Sequence, residues 1–152
     1  MIGMATKLAR DERGASVVEM ALVLPFLGAL VAGVTDISRA YSAKLDLQQA
    51  AQRAIEKVQQ YQTEGDFSLL QNEAATAAGV PASNVAVDYW LECNGARQSD
   101  YDTNCATGQT PGRWVKVKIT GTYTPLFASS RWPGSNKDGT YTIHGTAGLR
   151  TQ

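Results

Sequence analysis

Arg13-Gly14-Ala15-Ser16-Val17-Val18-Glu19 runs without interruption into Met20-Ala21-Leu22-Val23-Leu24-Pro25-Phe26-Leu27-Gly28-Ala29-Leu30-Val31-Ala32-Gly33-Val34. A glycine follows a basic residue, and a single carboxylate stands five places later at the head of a hydrocarbon-like segment. The next charge is Asp36. From Ala15 to Thr35 the segment is about 21 residues, enough as a helix to cross a bilayer core of about 30 Å. Glu19 is the anomaly. A carboxylate at the centre of a bilayer costs on the order of 2–3 kcal/mol and less near an edge, so an acid placed here suggests a function.

Helical character continues beyond the apolar run. Asp36 to Gln62 contains neither glycine nor proline and consists mostly of good helix formers. Ala40, Ala43, Leu47, Ala50, Ala51, Ala54, Val58 and Tyr61 recur at three- and four-residue spacing and mark one face. Arg39, Lys44, Gln48, Gln52, Glu56 and Gln59 mark the other. The apolar stripe is built of small side chains, which lets another backbone approach closely. Ala15–Gln62 is therefore expected as one helix of roughly 70 Å, apolar in its first half and amphipathic in its second. Pro25 removes one N–H from this helix and crowds the carbonyl of Ala21, so a kink is expected there.

The string Arg13 to Tyr41, with its Gly-x-x-x-x-Glu arrangement at Gly14 and Glu19, resembles the N-terminal signature of the TadE/TadG-like family. These are pseudopilins or minor pilins of the tight-adherence (Flp) pilus system. The resemblance implies cleavage between Gly14 and Ala15 by a prepilin peptidase, with the apolar helix retained. It implies that Glu19 serves assembly by pairing with the amine that cleavage creates. The implied partners are the peptidase, other pilin or pseudopilin subunits, the inner-membrane platform and lipid. No cofactor, nucleic acid or small-molecule substrate is implied. Major Flp pilins are hardly more than a helix, whereas this chain carries much more, which fits a minor or initiating subunit. TadG-like members often carry a large extra domain, so TadE-like is the nearer match.

Charge points the same way. The chain holds 14 basic and 14 acidic residues, which argues against a nucleic-acid surface. Lys7, Arg10 and Arg13 flank the apolar run on its N-terminal side, the cytoplasmic side by the positive-inside rule. An ordinary secretory signal fits poorly, because the run exceeds the usual h-region of about 7–15 residues and no clean small-x-small site follows it. The expected division is a leader at 1–14, a membrane span at 15–35, an amphipathic stem at 36–62 and a periplasmic head at 63–152. The competing functional assignment is a permanently anchored periplasmic binding or adaptor domain that is never cleaved.

Thr63-Glu64-Gly65 is expected to end the stem. Asp66 reads as the N-cap of a second helix, Phe67 to Ala78, stopped by Gly79 with Pro81 beyond. Phe67, Leu70, Ala74, Ala75 and Ala78 give it an apolar face. The texture then turns strand-like. Asn84–Glu92 alternates, with Val85, Val87, Tyr89 and Leu91 on one side. Arg113–Tyr123 sets Val115, Val117 and Ile119 against Lys116 and Lys118, and Tyr141–Leu149 makes a third strand. Pro125–Gly139 is a loop whose Asp138-Gly139 suits a tight turn. Helices first and strands after argue for an α+β head, an antiparallel sheet packed on the outer half of the stem.

Cys93 and Cys105 flank a polar loop, Asn94–Asn104. Outside the cytoplasm they are expected as a disulfide. A reactive or metal-binding pair lacks both the Cys-x-x-Cys spacing and a nearby histidine. Asp100, Asp102 and Asn104 are spaced like the start of a calcium loop, but Cys105 stands where that loop needs glycine, so a solvated turn is expected and no metal site. His144 is alone, and no nucleophile pattern surrounds it. Trp90, Trp114 and Trp132, with Tyr89, Tyr101, Tyr123 and Tyr141, read either as a surface- or sugar-binding patch or as core and edge cover. Nothing in the pattern points to an enzyme.

Overall fold

The computed structural model describes residues 12–61 and 68–151. The leader up to Asp11, the stem end at Gln62–Gly65, the Asp66 cap and Phe67 lie outside them, as do the side chains of Val58 and Tyr61. The elements are α1 (Glu12–Tyr61), α2 (Ser68–Ala78), a 3-10 turn at Ala82–Asn84, and strands β1 (Val85–Cys93), β2 (Ala96–Arg97), β3 (Pro111–Tyr123) and β4 (Tyr141–Arg150). This is the expected α+β arrangement, a long N-terminal helix with an antiparallel sheet and a second short helix. The chain divides into two units, Met1–Arg39 and Ala40–Gln152.

In the first unit α1 begins at Glu12, three residues ahead of the expected start, and runs through Pro25. Gly14 and Ala15 therefore lie inside helical backbone. Val17, Leu22, Phe26, Leu30 and Val34, all large and apolar, are exposed around the helix.

In the second unit the same helix buries one face. Leu47, Ala50, Ala51, Ala54 and Ile55 join Val85, Val115, Val117 and Ile119 of the sheet and Leu70, Ala74 and Ala75 of α2 in one core. Ala40 and Ala43 are only half-buried. Ile55 was not on the expected stripe, although it lies one turn beyond Ala51. Burying Val115, Val117, Ile119 and Leu91 completely stabilises the head by roughly 1.5–3 kcal/mol for each side chain.

Helix and sheet touch with almost nothing between them. A Cβ added at Gly145 of β4 would fall inside the backbone of Leu47 and Gln48, and one at Gly121 of β3 would come within 2.9 Å of Leu47 Cδ1. These two glycines make the flat place on which α1 rests.

The sheet order is β2-β1-β3-β4, antiparallel throughout. β1 pairs with β3 from Val85↔Ile119 to Cys93↔Pro111, and β3 with β4 from Trp114↔Arg150 to Tyr123↔Tyr141. α2 ends as the sequence suggests. Gly79 takes φ +64, its N–H donates to Thr76 O at 3.2 Å, and the Val80 N–H donates to Ala75 O at 3.0 Å. This is the paired bond pattern of a Schellman stop. An exposed ion pair, Lys57 with Glu73, links α1 to α2, and such surface pairs add at most about 1 kcal/mol.

Two details correct the sequence-based expectation. The segment 94–104 is not wholly loop, because Asn94 (φ 51) and Gly95 (φ 82) form a tight turn that folds Ala96-Arg97 back on β1 as β2. Positive φ at both turn positions matches the right-handed twist of the paired strands, and Asn-Gly is the dipeptide that favours it. Tyr89 has the expected parity but is 46 % exposed. Its ring meets Tyr101 edge-on at 5.3 Å between centroids.

Candidate functional site

The N-terminal half of α1 concentrates the features that the sequence singles out. Between Ser16 and Thr35 Glu19 is the only ionisable side chain, and it is exposed among Val17, Val18, Met20 and Val23, which are exposed too. A helix apolar all round is one made for lipid or for other helices. Among the described residues one helix is long and apolar enough to cross a membrane. A Cβ at Gly28 or Gly33 would meet nothing within 4 Å. Thr35 closes the apolar stretch by donating its hydroxyl to Val31 O at 2.8 Å, which satisfies a polar group without leaving the helix.

In the head Cys93 and Cys105 form the expected disulfide, with Cα atoms 5.6 Å apart. It ties the end of β1 to the loop that follows β2. Arg113 also holds that loop, donating to Tyr101 O at 3.5 Å and Thr103 O at 3.2 Å. Asp100 Oδ1 accepts the Asp102 N–H at 3.1 Å, a local turn that keeps this oxygen for the backbone. Among the described residues no group of three or more His, Cys, Asp or Glu side chains is placed to hold a metal ion. His144 is exposed beside the Thr120 hydroxyl, at 3.3 Å.

The sheet face turned away from α1 holds a stack that the sequence did not reveal. Trp90 and Trp114 lie opposite each other in register, with rings parallel to within 8° and centroids 6.1 Å apart. Both indole N–H groups donate to one carboxylate: Trp90 to Glu92 Oε1 at 2.7 Å, and Trp114 to Glu92 Oε2 at 3.0 Å. The Arg97 guanidinium covers the other face of Trp90 at 4.7 Å and is paired with Asp88 at 2.9 Å. Rings engaged in this way cover the sheet. The signal that would have found the stack is the register: pairing Cys93 with Pro111 sets Trp90 against Trp114.

With this geometry in view, the comparison with known families falls on the helix. Residues 14–55 match the model of the TadE-like protein family. The TadE-like segment starts at Gly14, takes in Glu19 and the whole exposed apolar run, and ends at Ile55, the last buried core residue described on α1. It thus holds the apolar surface and the face that carries the head. Over this segment the chain is similar to TadE-like proteins. No curated protein and no solved structure matches the chain.

Proposed function

We propose that this chain is a single-pass minor pilin or pseudopilin, processed by a prepilin peptidase after Gly14 and used to assemble or prime a tight-adherence pilus or secretion apparatus. The observation that carries the proposal is Glu19, a lone carboxylate in the exposed apolar stretch of α1 from Val17 to Val34, five residues after Gly14 in the TadE-like segment.

Cleavage after Gly14 places a new ammonium on Ala15, one helical turn before Glu19. A carboxylate taken from headgroups into a bundle of apolar helices needs an opposite charge, since an unpaired buried charge costs several kcal/mol. The ammonium supplies it, either within one chain across the i, i+4 step or between neighbouring subunits, where the pair also sets register. In this scheme residues 15–35 span the inner membrane and Lys7, Arg10 and Arg13 hold the N-terminus in the cytoplasm. Residues 36–62 form the stem and 63–152 the periplasmic head. Pro25 gives the span a point of adjustment as it passes from lipid into a filament.

Intact-mass measurement of membrane-extracted protein tests the processing. The expected species lacks residues 1–14, and Gly14→Val retains them. A stable full-length species in the native host would sink the proposal. Glu19→Ala is expected to be cleaved nearly as well as the parent while piliation is lost, and normal piliation in that variant would remove the role assigned to Glu19.

A further inference from the structure

We infer that the loop between β3 and β4, residues 124–140, is a second membrane contact, which seats the head on an anionic lipid surface through Phe127 and Trp132. The inference rests on the membrane-anchor reading of α1. The loop leaves 68 % of Phe127, 53 % of Trp132 and 49 % of Leu126 exposed, whereas Trp90 and Trp114 are stacked on each other and bonded to Glu92.

This exposure does not come from a slack segment. The Trp132 N–H donates to Ser129 O at 3.3 Å, the Ser135 N–H to Trp132 O at 3.2 Å, the Gly139 N–H to Asn136 O at 3.0 Å and the Asn136 N–H to Thr140 O at 2.7 Å. Asn136 Nδ2 binds the hydroxyls of Thr140 and Thr142 at 2.9 and 3.2 Å. Gly139 is buried against the other limb of the loop, where a Cβ would come within 2.8 Å of Ser129 N. The loop is therefore folded on itself with its largest apolar side chains outside, an arrangement that costs free energy in water unless something covers them.

Charge selects the occupant. Among the described residues Arg131 and Lys137 enter no ion pair. Asp138 is the only carboxylate of the loop; it is exposed, and its Oδ1 accepts the Thr140 hydroxyl and N–H at 2.7 and 3.0 Å. Two outward cations beside a tryptophan and a phenylalanine fit an anionic headgroup layer, where such rings settle at the boundary between acyl chain and water.

The test uses the full chain in vesicles of phosphatidylcholine and phosphatidylglycerol that contain a lipid spin-labelled close to its headgroup. Flotation comes first: a chain that does not float with the vesicles loses the anchor reading, and the loop contact with it. For floating protein, tryptophan emission is expected to be quenched in the parent, with the quenched part reduced at least about threefold in Trp132→Phe, since only an interfacial ring lies near a shallow label. Adding Phe127→Trp to Trp132→Phe is expected to restore quenching, which separates loss of contact from loss of fold. Arg131→Gln with Lys137→Gln is expected to weaken quenching in these vesicles and not in pure phosphatidylcholine. Equal quenching of parent and Trp132→Phe, or none in either, overturns the inference and leaves the anchor intact. The same holds if Phe127 and Trp132 are protected from radical footprinting only when other subunits are present.

Discussion

Within α1, Ser16 to Val34 and Leu47 to Ile55 form one type of secondary structure in opposite surroundings. In the first stretch valines, leucines and a phenylalanine are exposed on all sides. In the second, Leu47, Ala50, Ala51, Ala54 and Ile55 are buried on one side only, while Arg53 and Glu56 stay in water. The glycines repeat the contrast. Gly28 and Gly33 have open space where a side chain would stand, but Gly145 has the backbone of α1. Helical periodicity is shared, so what differs is which faces have found a partner within the chain. The second stretch packs on the sheet, and the first keeps its large apolar side chains exposed.

Substituting glycine on each side should separate the two regions most sharply. Gly145→Val is expected to force helix and sheet apart and remove the cooperative unfolding of the head, a loss of at least about 3 kcal/mol. Gly28→Val should leave the melting of the detergent-solubilised chain unchanged. Calorimetry on both variants checks this, and equal effects would erase the distinction. Removing the disulfide comes next. Cys93→Ser with Cys105→Ser is expected to destabilise the head by roughly 3 kcal/mol in the chain-entropy model, while far-ultraviolet dichroism of the apolar helix persists. Denaturant unfolding followed by the Trp90–Trp114 signal measures it.

The smallest effect concerns the outer loop and acid. Thr140, through its hydroxyl first and its N–H second, holds the Asp138 carboxyl below its ordinary value of 3.8. A folded value below the unfolded one means that the ionised carboxylate stabilises the loop above about pH 4. That contribution fades as pH falls through the lowered folded value. Protection of the Thr140 amide, measured against the intrinsic exchange rate at each pH, should therefore fall at low pH in the parent, and Asp138→Asn should flatten the profile.

Local patterns carried much of this architecture. Lack of glycine and proline after Asp36 gives the long helix, alternation gives β1, β3 and β4, and Gly79 gives the stop of α2. Gly14 and Glu19 stand out in the bare sequence, because a lone acid beside an apolar run is a chemical contradiction that needs no structure to notice. Features that depend on two distant segments were harder to read. Alternation puts Tyr89 on a face but does not say how far the covering helix extends. The Trp90–Trp114–Glu92 stack depends on a register that runs across the disulfide loop. β2 had a local signal, Asn94-Gly95, that its polar surroundings disguised. Leu47 against Gly145 was foreshadowed only by the alanine stripe, which promises close approach without naming what approaches.

That last contact has a consequence for the order of synthesis. About a hundred residues of chain separate Leu47 from Gly145, and contacts so distant in sequence form late. During synthesis α1 must wait with its alanine face uncovered until β4 arrives. Gly145 thus makes closure of the core a late event for the nascent chain. A chain cut short before β4 would have no finished core.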